Sequence, residues 1–281
     1  MPTESELNHL RRCVELAAKA LEEGNEPFGS VLVASDGAVL VEDHNRVGTG
    51  DPTRHPELEL ARWAAVNMTT QERAEATVFT SGEHCPMCSA AHGWVGLGRI
   101  VFASSSEELS SWLEELGAPP SPVRALPIRE VVPGVVVEGP VPSFAKRVRE
   151  LHRQYYSARR ALIERYIAAY NSFDVPGMVE LLHPDVTFEN IDSGRVTASA
   201  RGREEFRALA ERAATLFTSR RQTIRRYTPS ARGAEVEIDY EGVLATDLGP
   251  ELRAGETLRL VGRSTFELRG GKIARIVDES G

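Results

Sequence analysis

The chain has little cysteine, no long apolar run and no surplus of basic residues, and each absence argues against a class of protein. Three cysteines among 281 residues are too few for the disulfide framework of a small secreted domain. The sequence begins with no apolar signal and contains no stretch of about 20 apolar residues that could cross a bilayer. We therefore expect a soluble, cytoplasmic protein that does not act at a membrane.

Negative charge is concentrated in the first half of the chain. Residues 1–157 carry 14 Lys and Arg against 22 Asp and Glu, whereas residues 158–281 carry 19 of each. A protein that binds nucleic acid usually presents a basic surface to the phosphates. The acidity of the first half therefore argues against a nucleic-acid partner and favours a small, uncharged substrate.

Two short motifs supply the residue types of a catalytic zinc site. His55-Pro56-Glu57 is followed by Cys85-Pro86-Met87-Cys88. Catalytic zinc commonly takes three protein ligands, here His55, Cys85 and Cys88, and leaves the fourth position to water. Glu57 then remains free for proton transfer. His-x-Glu followed by Pro-Cys-x-x-Cys is the signature of zinc deaminases, although His84 stands here in place of the first proline.

Each motif also has a structural interpretation. His55 could cap the helix that Pro56 opens, and Glu57 could be an ordinary first-turn acid stabilised by the helix dipole. A Cys-x-x-Cys pair could form a redox site or half of a structural zinc site, but the latter needs a fourth protein ligand. Both motifs open predicted helices that follow strands, which favours the catalytic interpretation. Cys13 lies among apolar residues at helical spacing and is expected in the core.

The order of elements differs between the halves. In the first half, helices are predicted over 4–23, 56–67, 86–95 and 107–116 and strands over 28–34, 38–42, 77–80 and 99–103, which indicates a sheet covered by helices. Residues 143–173 lack glycine and proline and predict one long helix, or two with a break near Ser157. The second half reads as helices over 158–173, after Pro176 and over 202–217, then antiparallel strands over 220–226, 234–245, 256–268 and 272–278. That order predicts an α+β domain.

The first half resembles the cytidine deaminase superfamily, in the branch that contains guanine deaminases and tRNA adenosine deaminases. Beyond the zinc motifs, the resemblance rests on three segments: Pro27-Phe28-Gly29-Ser30-Val31, Asn45-Arg46-Val47 and Asp51-Pro52-Thr53-Arg54-His55. It implies a three-layer α/β domain over residues 1–157, a Zn²⁺ cofactor and a homodimer. It also implies hydrolytic deamination, in which water replaces the amino group of a heterocyclic amine and ammonia is released.

The same resemblance assigns substrate-binding roles. Asn45 would hydrogen-bond the base, Phe28 would line the pocket, and Ser81 and the segment that ends at His84 would border the active-site loop. Trp94 falls where guanine deaminases carry a tryptophan, so guanine is the leading substrate. A cytosine, an adenine-type base, a nucleoside, a tRNA adenosine or an aminated natural-product heterocycle remains an alternative that uses the same chemistry.

Residues 158–281 resemble the NTF2-like, SnoaL-like α+β cone domains. The resemblance rests on the segment from Tyr166 to Phe173, on 178–188 and on the terminal strand pair around Gly270-Gly271. Because such folds host enzymes, binding pockets and assembly modules, we expect an accessory role, and an assembly protein whose second domain carries the function is the alternative. The acid-base candidates in this half are His183, Asp192, Asp239 and Tyr240.

Overall fold

The computed structural model describes residues 2–230, 232–247, 249 and 252–280. The chain divides into two units, Met1–Tyr156 and Ser157–Gly281. In the described part of the chain, no helix combines the length and apolar character needed to cross a membrane. The boundary between the units falls within a helix that spans Pro142–Asn171.

Local signals set the ends of the elements in the first unit. Thr3 and Glu6 form the predicted capping box at the first helix, and Pro56 and Pro86 occupy the first turns of two others. The helices are α1 (Glu4–Glu22), α2 (Pro56–Asn67), α3 (Thr70–Glu75), α4 (Pro86–Val95), α5 (Ser106–Glu115) and α6 (Ile128–Val131), and the strands are β1 (Gly29–Val33), β2 (Val39–His44), β3 (Thr77–Gly82), β4 (Arg99–Ser104) and β5 (Val137–Glu138). The short elements α3, α6 and β5 were not predicted.

These strands form one mixed sheet in the order β2-β1-β3-β4-β5. β1 is antiparallel to both of its neighbours, whereas β3, β4 and β5 run parallel. Leu10, Cys13 and Leu16 of α1 pack on one face of the sheet, and Leu60 and Ala61 of α2 pack in a separate cluster with strand residues. Helices therefore cover both faces, which confirms the predicted three-layer α/β fold and the core position of Cys13.

The second unit contains a six-stranded sheet. Its order is β7-β6-β11-β10-β9-β8, and its strand pairs are antiparallel except for β6 with β11. After α7 (Pro142–Asn171), the elements are α8 (Val175–Leu181), β6 (Leu182–Asp192), β7 (Arg195–Arg201), α9 (Gly202–Ala214), β8 (Phe217–Pro229), β9 (Gly233–Leu244), β10 (Thr257–Arg269) and β11 (Lys272–Ser280).

The α+β class of the second unit is confirmed, but the predicted order of elements is wrong at one point. β6 and β7 precede α9, where the sequence pattern predicted no strands. Ser193 and Gly194 join them with φ angles of 49° and 76°, so the Ser-Gly pair makes a tight turn that places both residues in the left-handed region. Residues from α7, α8 and α9 share one apolar cluster with the sheet, including Ile163, Met178 and Phe206.

Candidate active site and metal centre

The two sequence motifs meet at one point in the first unit. Cys85 Sγ lies 3.6 Å from His55 Nδ1, Cys88 Sγ lies 3.6 Å from the same nitrogen, and the two sulfur atoms are 3.6 Å apart. Among the described residues, His55, Cys85 and Cys88 form a group of side chains that could hold a metal ion. They form a nearly equilateral triangle of one nitrogen and two sulfurs.

This triangle fits a zinc ion. Tetrahedral zinc, with bonds of about 2.3 Å to sulfur and about 2.1 Å to imidazole nitrogen, separates its ligand atoms by roughly 3.5–3.8 Å. All three distances fall within that range. Three protein ligands are one fewer than a structural zinc site requires, so this donor set is of the catalytic kind.

The start of a helix positions each motif. His55 and Cys85 occupy the N-cap positions of α2 and α4, each followed by proline, and neither side chain makes a capping hydrogen bond. The interpretation of His55 as a simple helix cap is therefore not supported. Because both side chains turn away from their own helix ends, they are free to face Cys88, one turn into α4.

Glu57 lies beside the triangle in a buried position. Glu57 is only 6% exposed, and its Oε2 lies 3.7 Å from Cys88 Sγ. On the other side, Ser30 Oγ and Thr80 Oγ1 each lie 3.2 Å from Oε1. Burial raises the pKa of Glu57, although the His55 charge and the Thr80 hydroxyl act in the opposite direction. Two hydroxyl groups thus lie within hydrogen-bond distance of a buried carboxyl group that faces the donor atoms, although Thr80 Oγ1 also lies 3.0 Å from the carbonyl oxygen of Gly82 and 2.9 Å from Ser30 Oγ.

The cysteine and histidine donors polarise one another. Hydrogen bonding from Cys88 lowers the pKa of Cys85 to about 4, against burial and together with the contact to His55. Burial would lower the pKa of His55, but the contact with Cys85 and the charge of Glu57 raise it to about 9. A thiolate at Cys85 is the form that binds a metal ion, and metal binding then displaces the remaining protons.

Glu83 anchors the loop that leads to Cys85, and the sequence analysis did not identify it. Its Oε2 accepts hydrogen bonds from the backbone N–H and the hydroxyl of Ser106, and its Oε1 accepts from the backbone N–H of Ile128. One carboxylate therefore binds the first turns of both α5 and α6, where the helix dipole favours negative charge. An acidic residue two positions before a ligand cysteine is the signal that was available.

Asn45, just after β2, donates its backbone N–H to the carbonyl oxygen of Phe28, just before β1. Asn45 is buried, and its Oδ1 accepts a hydrogen bond from Val47 N–H, so the Nδ2 group is the end left for a substrate. The ring of Phe28 lies 5.0 Å from that of His152. A Cβ atom at Gly82 would be 3.1 Å from the Phe28 ring, so a side chain at position 82 would displace it.

The side chains of Ser81 and His84 are both buried. Ser81 Oγ accepts a hydrogen bond from Gly29 N–H at 3.1 Å, which ties β3 to β1. His84 is buried, and its ring packs edge-on against His92 at 5.4 Å. The place of the segment that ends at His84 beside the active-site loop stays a prediction, and His84 Nδ1 is buried with no hydrogen-bond partner in the described part of the chain.

The role of Trp94 in the pocket stays a prediction. The Trp94 side chain is 92% exposed, near the C-terminal end of α4, so it makes few contacts with the described part of its own chain. The spacing from Cys88 indicates that Trp94 lies on α4. It does not indicate whether the side chain faces the interior or the solvent.

The comparisons with known proteins agree with this geometry. The "Cytidine and deoxycytidylate deaminase zinc-binding region" family matches residues 3–104. A probable cytosine deaminase of Schizosaccharomyces pombe is 33% identical over 118 residues, which cover 42% of this chain and 72% of that protein. The chain belongs to the cytidine and deoxycytidylate deaminase family. It is accordingly a hydrolase of C–N bonds with a Zn²⁺ cofactor and a small-molecule substrate.

Two further relatives of this deaminase are named for other substrates. A guanine deaminase of Bacillus subtilis is 36% identical over 103 residues, which cover 35% of this chain and 65% of that enzyme. A tRNA-specific adenosine deaminase of the same organism is 29% identical over 169 residues, which cover 58% of this chain and 99% of that enzyme. None of these three matches covers more than 58% of this chain.

The "SnoaL-like domain" family matches residues 163–276 of the deaminase, which confirms the resemblance drawn for the second half. The four acid-base candidates there do not come together. Asp192 and Asp239 are exposed, and His183 contacts Arg269 at 2.8 Å. Tyr240 alone of the four lines the large cavity of this unit, so no acid-base cluster forms from the predicted residues.

The donor triangle predicts how zinc content responds to substitution. Cys88→Ser should lower zinc from about one ion per chain to near zero, because two remaining protein ligands hold the ion weakly. Cys13→Ala, which removes the cysteine buried in the core, should retain zinc. Inductively coupled plasma mass spectrometry of the purified variants measures this. Full zinc in Cys88→Ser would show that the metal is held elsewhere.

Proposed function

We propose that this deaminase releases ammonia from a free nucleobase-like heterocyclic amine, with guanine and cytosine as the first two bases to test. The observation that carries the proposal is the buried carboxylate of Glu57, held beside the His55–Cys85–Cys88 triangle. A structural zinc site does not require a buried carboxylic acid next to its ligands, whereas a hydrolytic site needs a group that accepts and donates protons. We further propose that residues 1–157 form the catalytic domain and residues 158–281 an accessory domain.

The proposed mechanism assigns the proton transfers to Glu57. Held by His55, Cys85 and Cys88, zinc would supply a Lewis acid that lowers the pKa of a water molecule. Glu57 takes one proton from that water and delivers it to a ring nitrogen of the substrate, while the water oxygen adds to the carbon that carries the amino group. Glu57 then transfers the second proton to the amino nitrogen. The C–N bond breaks, ammonia leaves, and a carbonyl remains.

Asn45 and Phe28 supply the proposed recognition of the base. The Nδ2 group of Asn45 can donate to a ring nitrogen or carbonyl oxygen, since its Oδ1 is already bonded to Val47 N–H. The ring of Phe28 can pack against a flat heterocycle. A donor and an apolar ring select a planar base but do not distinguish one base from another, so the choice among bases rests on the assay.

The charge balance supports a free base over tRNA. The first half carries eight more acidic than basic residues, which opposes binding of a phosphate backbone. A nucleoside or tRNA substrate is the second candidate, supported by the tRNA-specific relative. A role in binding or assembly carried by the SnoaL-like domain is the third, and it predicts no turnover of any amine.

Ammonia release tests the three candidates together. The zinc-loaded protein should release ammonia from guanine or cytosine faster than from guanosine, cytidine, adenosine or tRNA. Glu57→Gln should keep its zinc and lose about 10²–10⁴-fold in kcat, since general acid-base transfer commonly contributes that much. Glu59→Gln is the matched control, because Glu59 lies two residues away on α2 and pairs with Arg62.

The outcomes separate the candidates clearly. Faster turnover of tRNA would replace the free base with the second candidate. Equal activity in Glu57→Gln and wild type would contradict the mechanism. Absence of ammonia from every substrate at full zinc content would contradict the proposal for these bases and favour the third candidate.

The two hydroxyl groups beside Glu57 should affect kcat more than KM. Thr80→Val keeps the shape of the side chain but removes the hydroxyl that contacts Glu57 Oε1, the Gly82 carbonyl oxygen and Ser30 Oγ. We expect kcat to fall roughly 3- to 30-fold, as for the loss of one buried hydrogen bond. Thr80→Ser should restore most of kcat because it restores the hydroxyl. Steady-state kinetics at equal zinc content measures both. A kcat in Thr80→Val equal to that of wild type would show that the hydroxyl does not position Glu57.

We also propose that the protein is a homodimer, as the family resemblance implies. Trp94 and Val66 are 92% and 84% exposed, and large exposed apolar side chains often mark an interface. Light scattering after gel filtration should give twice the mass of one chain, and Trp94→Glu should shift the equilibrium towards one chain. Val39→Glu, at an exposed apolar position on β2, is the control. A monomeric wild type would contradict this proposal.

A further inference from the structure

The second unit contains an open cavity of about 720 Å³. Its wall is mostly apolar and rich in aromatic rings, and it is formed by residues of α7, α8, α9 and the sheet. The aromatic members of the wall are Tyr166, Tyr170, Phe188, Phe206, Phe217 and Tyr240. A volume of this size lies in the range of small-molecule sites, which are commonly apolar with a few placed polar groups.

One of the polar groups in this wall is a buried cation. Arg220 is 5% exposed, lines the cavity and donates from Nε to the carbonyl oxygen of Tyr170 at 2.9 Å. Its guanidinium carbon lies 3.8 Å from the centre of the Tyr170 ring and 4.4 Å from that of Phe173. Stacking on two rings fixes the plane of the guanidinium group.

The hydrogen bonding of Arg220 is incomplete. Its Nη2 is buried and has no hydrogen-bond partner in the described part of the chain. No carboxylate of the described residues forms an ion pair with it. Burying a cation without a counter-charge is costly, and ring stacking offsets only part of that cost. A guanidinium left unpaired in a cavity wall is suited to receive an anion from a ligand.

The other arginines around the cavity are already paired or exposed, whereas Asp278 has a hydroxyl group rather than a cation as its partner, and burial raises its pKa to about 6. Arg263 donates to Glu279 at 2.9 Å, and Arg212 is exposed. Asp278 accepts a hydrogen bond from Ser264 Oγ at 2.5 Å, and these two residues face each other in the β10–β11 pair. Tyr240 Oη interacts with the side chain of Tyr170. The cavity thus presents one charged donor, Arg220 Nη2, that has no hydrogen-bond partner in the described part of the chain.

We propose that this cavity binds a small aromatic carboxylic acid, with the carboxylate on Arg220 Nη2 and the ring against the aromatic wall. The charged donor selects an anionic oxygen, because a charge-assisted hydrogen bond in a buried site is stronger than a neutral one. The flat, apolar wall selects the ring. This site is separate from the deamination chemistry of the first unit and gives the SnoaL-like domain a ligand of its own.

A matched pair of probes tests the proposal on the full-length protein. 2-Naphthoate and 2-naphthamide share one ring system, and only the first is an anion at pH 7.5. Isothermal titration calorimetry should show 2-naphthoate binding at least about 10-fold more tightly than 2-naphthamide, as expected for one charge-assisted hydrogen bond. Equal affinities, or no binding of 2-naphthoate, would overturn the proposal.

Substitutions test which arginine causes the preference for the anionic probe. Arg220→Gln should bring the affinities of the two probes together. Arg221→Gln should leave the 10-fold preference unchanged, because Arg221 is exposed and absent from the lining of this cavity. Arg212→Gln tests whether the anion instead rests on the exposed arginine at the cavity. Loss of the preference in Arg212→Gln or Arg221→Gln, or its persistence in folded Arg220→Gln, would overturn the assignment.

A variant that fills the cavity keeps the test valid if Arg220→Gln does not fold. Ala198 on β7 lines the cavity, so Ala198→Phe should place a ring in the space of the ligand and weaken both probes about 10-fold or more, since the displaced contacts are apolar. Circular dichroism verifies that each variant is folded. Unchanged binding of 2-naphthoate to folded Ala198→Phe would show that the probe binds outside the cavity.

Discussion

Three donor atoms 3.6 Å apart are the constraint on which the first unit depends. They come from segments thirty residues apart in sequence, so the N-terminal ends of α2 and α4 must lie side by side. Small side chains allow that approach, since Ala61, Ala64 and Ala91 pack in the cluster that joins these helices to the sheet. Proline in each first turn has no N–H to satisfy and fixes the backbone where the ligand side chain leaves it. A shift of about an ångström in either helix would take a tetrahedral ion out of reach of its ligands.

The two units differ in how they compensate a buried charge. In the first unit, Glu57 has hydroxyl groups on one side and the donor triangle on the other, so burial perturbs the carboxylate without leaving it unsatisfied. The second unit buries Arg220 against two rings and leaves Nη2 without a partner. Buried polar groups are normally bonded, so an exception that faces a cavity points to a ligand. The first unit thus positions the donor atoms for a metal ion, and the second unit forms a mostly apolar cavity.

Sequence reasoning succeeded where the signal was local. The bounds of α2 and α4 were predicted because proline marks their first turns, and the donor set was predicted because ligand spacing within each motif is short. It failed where the answer depended on packing between distant segments. The polar residues of β6 and β7 resemble a loop, since only part of each strand faces the core. Arg220 sits next to Arg221 in a basic run, and nothing in the sequence tells which of the two points inward. Ser30 and Thr80 could have been noticed as polar residues within apolar strands.

X-ray absorption at the zinc edge tests the central claim, that zinc is held by three protein ligands with the fourth position open beside Glu57. The account predicts two sulfur scatterers at about 2.3 Å and two light-atom scatterers at about 2.0–2.1 Å, of which His55 supplies only one. Cys88→Ser should lose one sulfur or the whole signal. A third sulfur, or the outer-shell scattering of a second imidazole, would show a fourth protein ligand, contradict the account and identify a structural site. Zinc bound in wild type with no sulfur scatterer would place the metal outside the triangle.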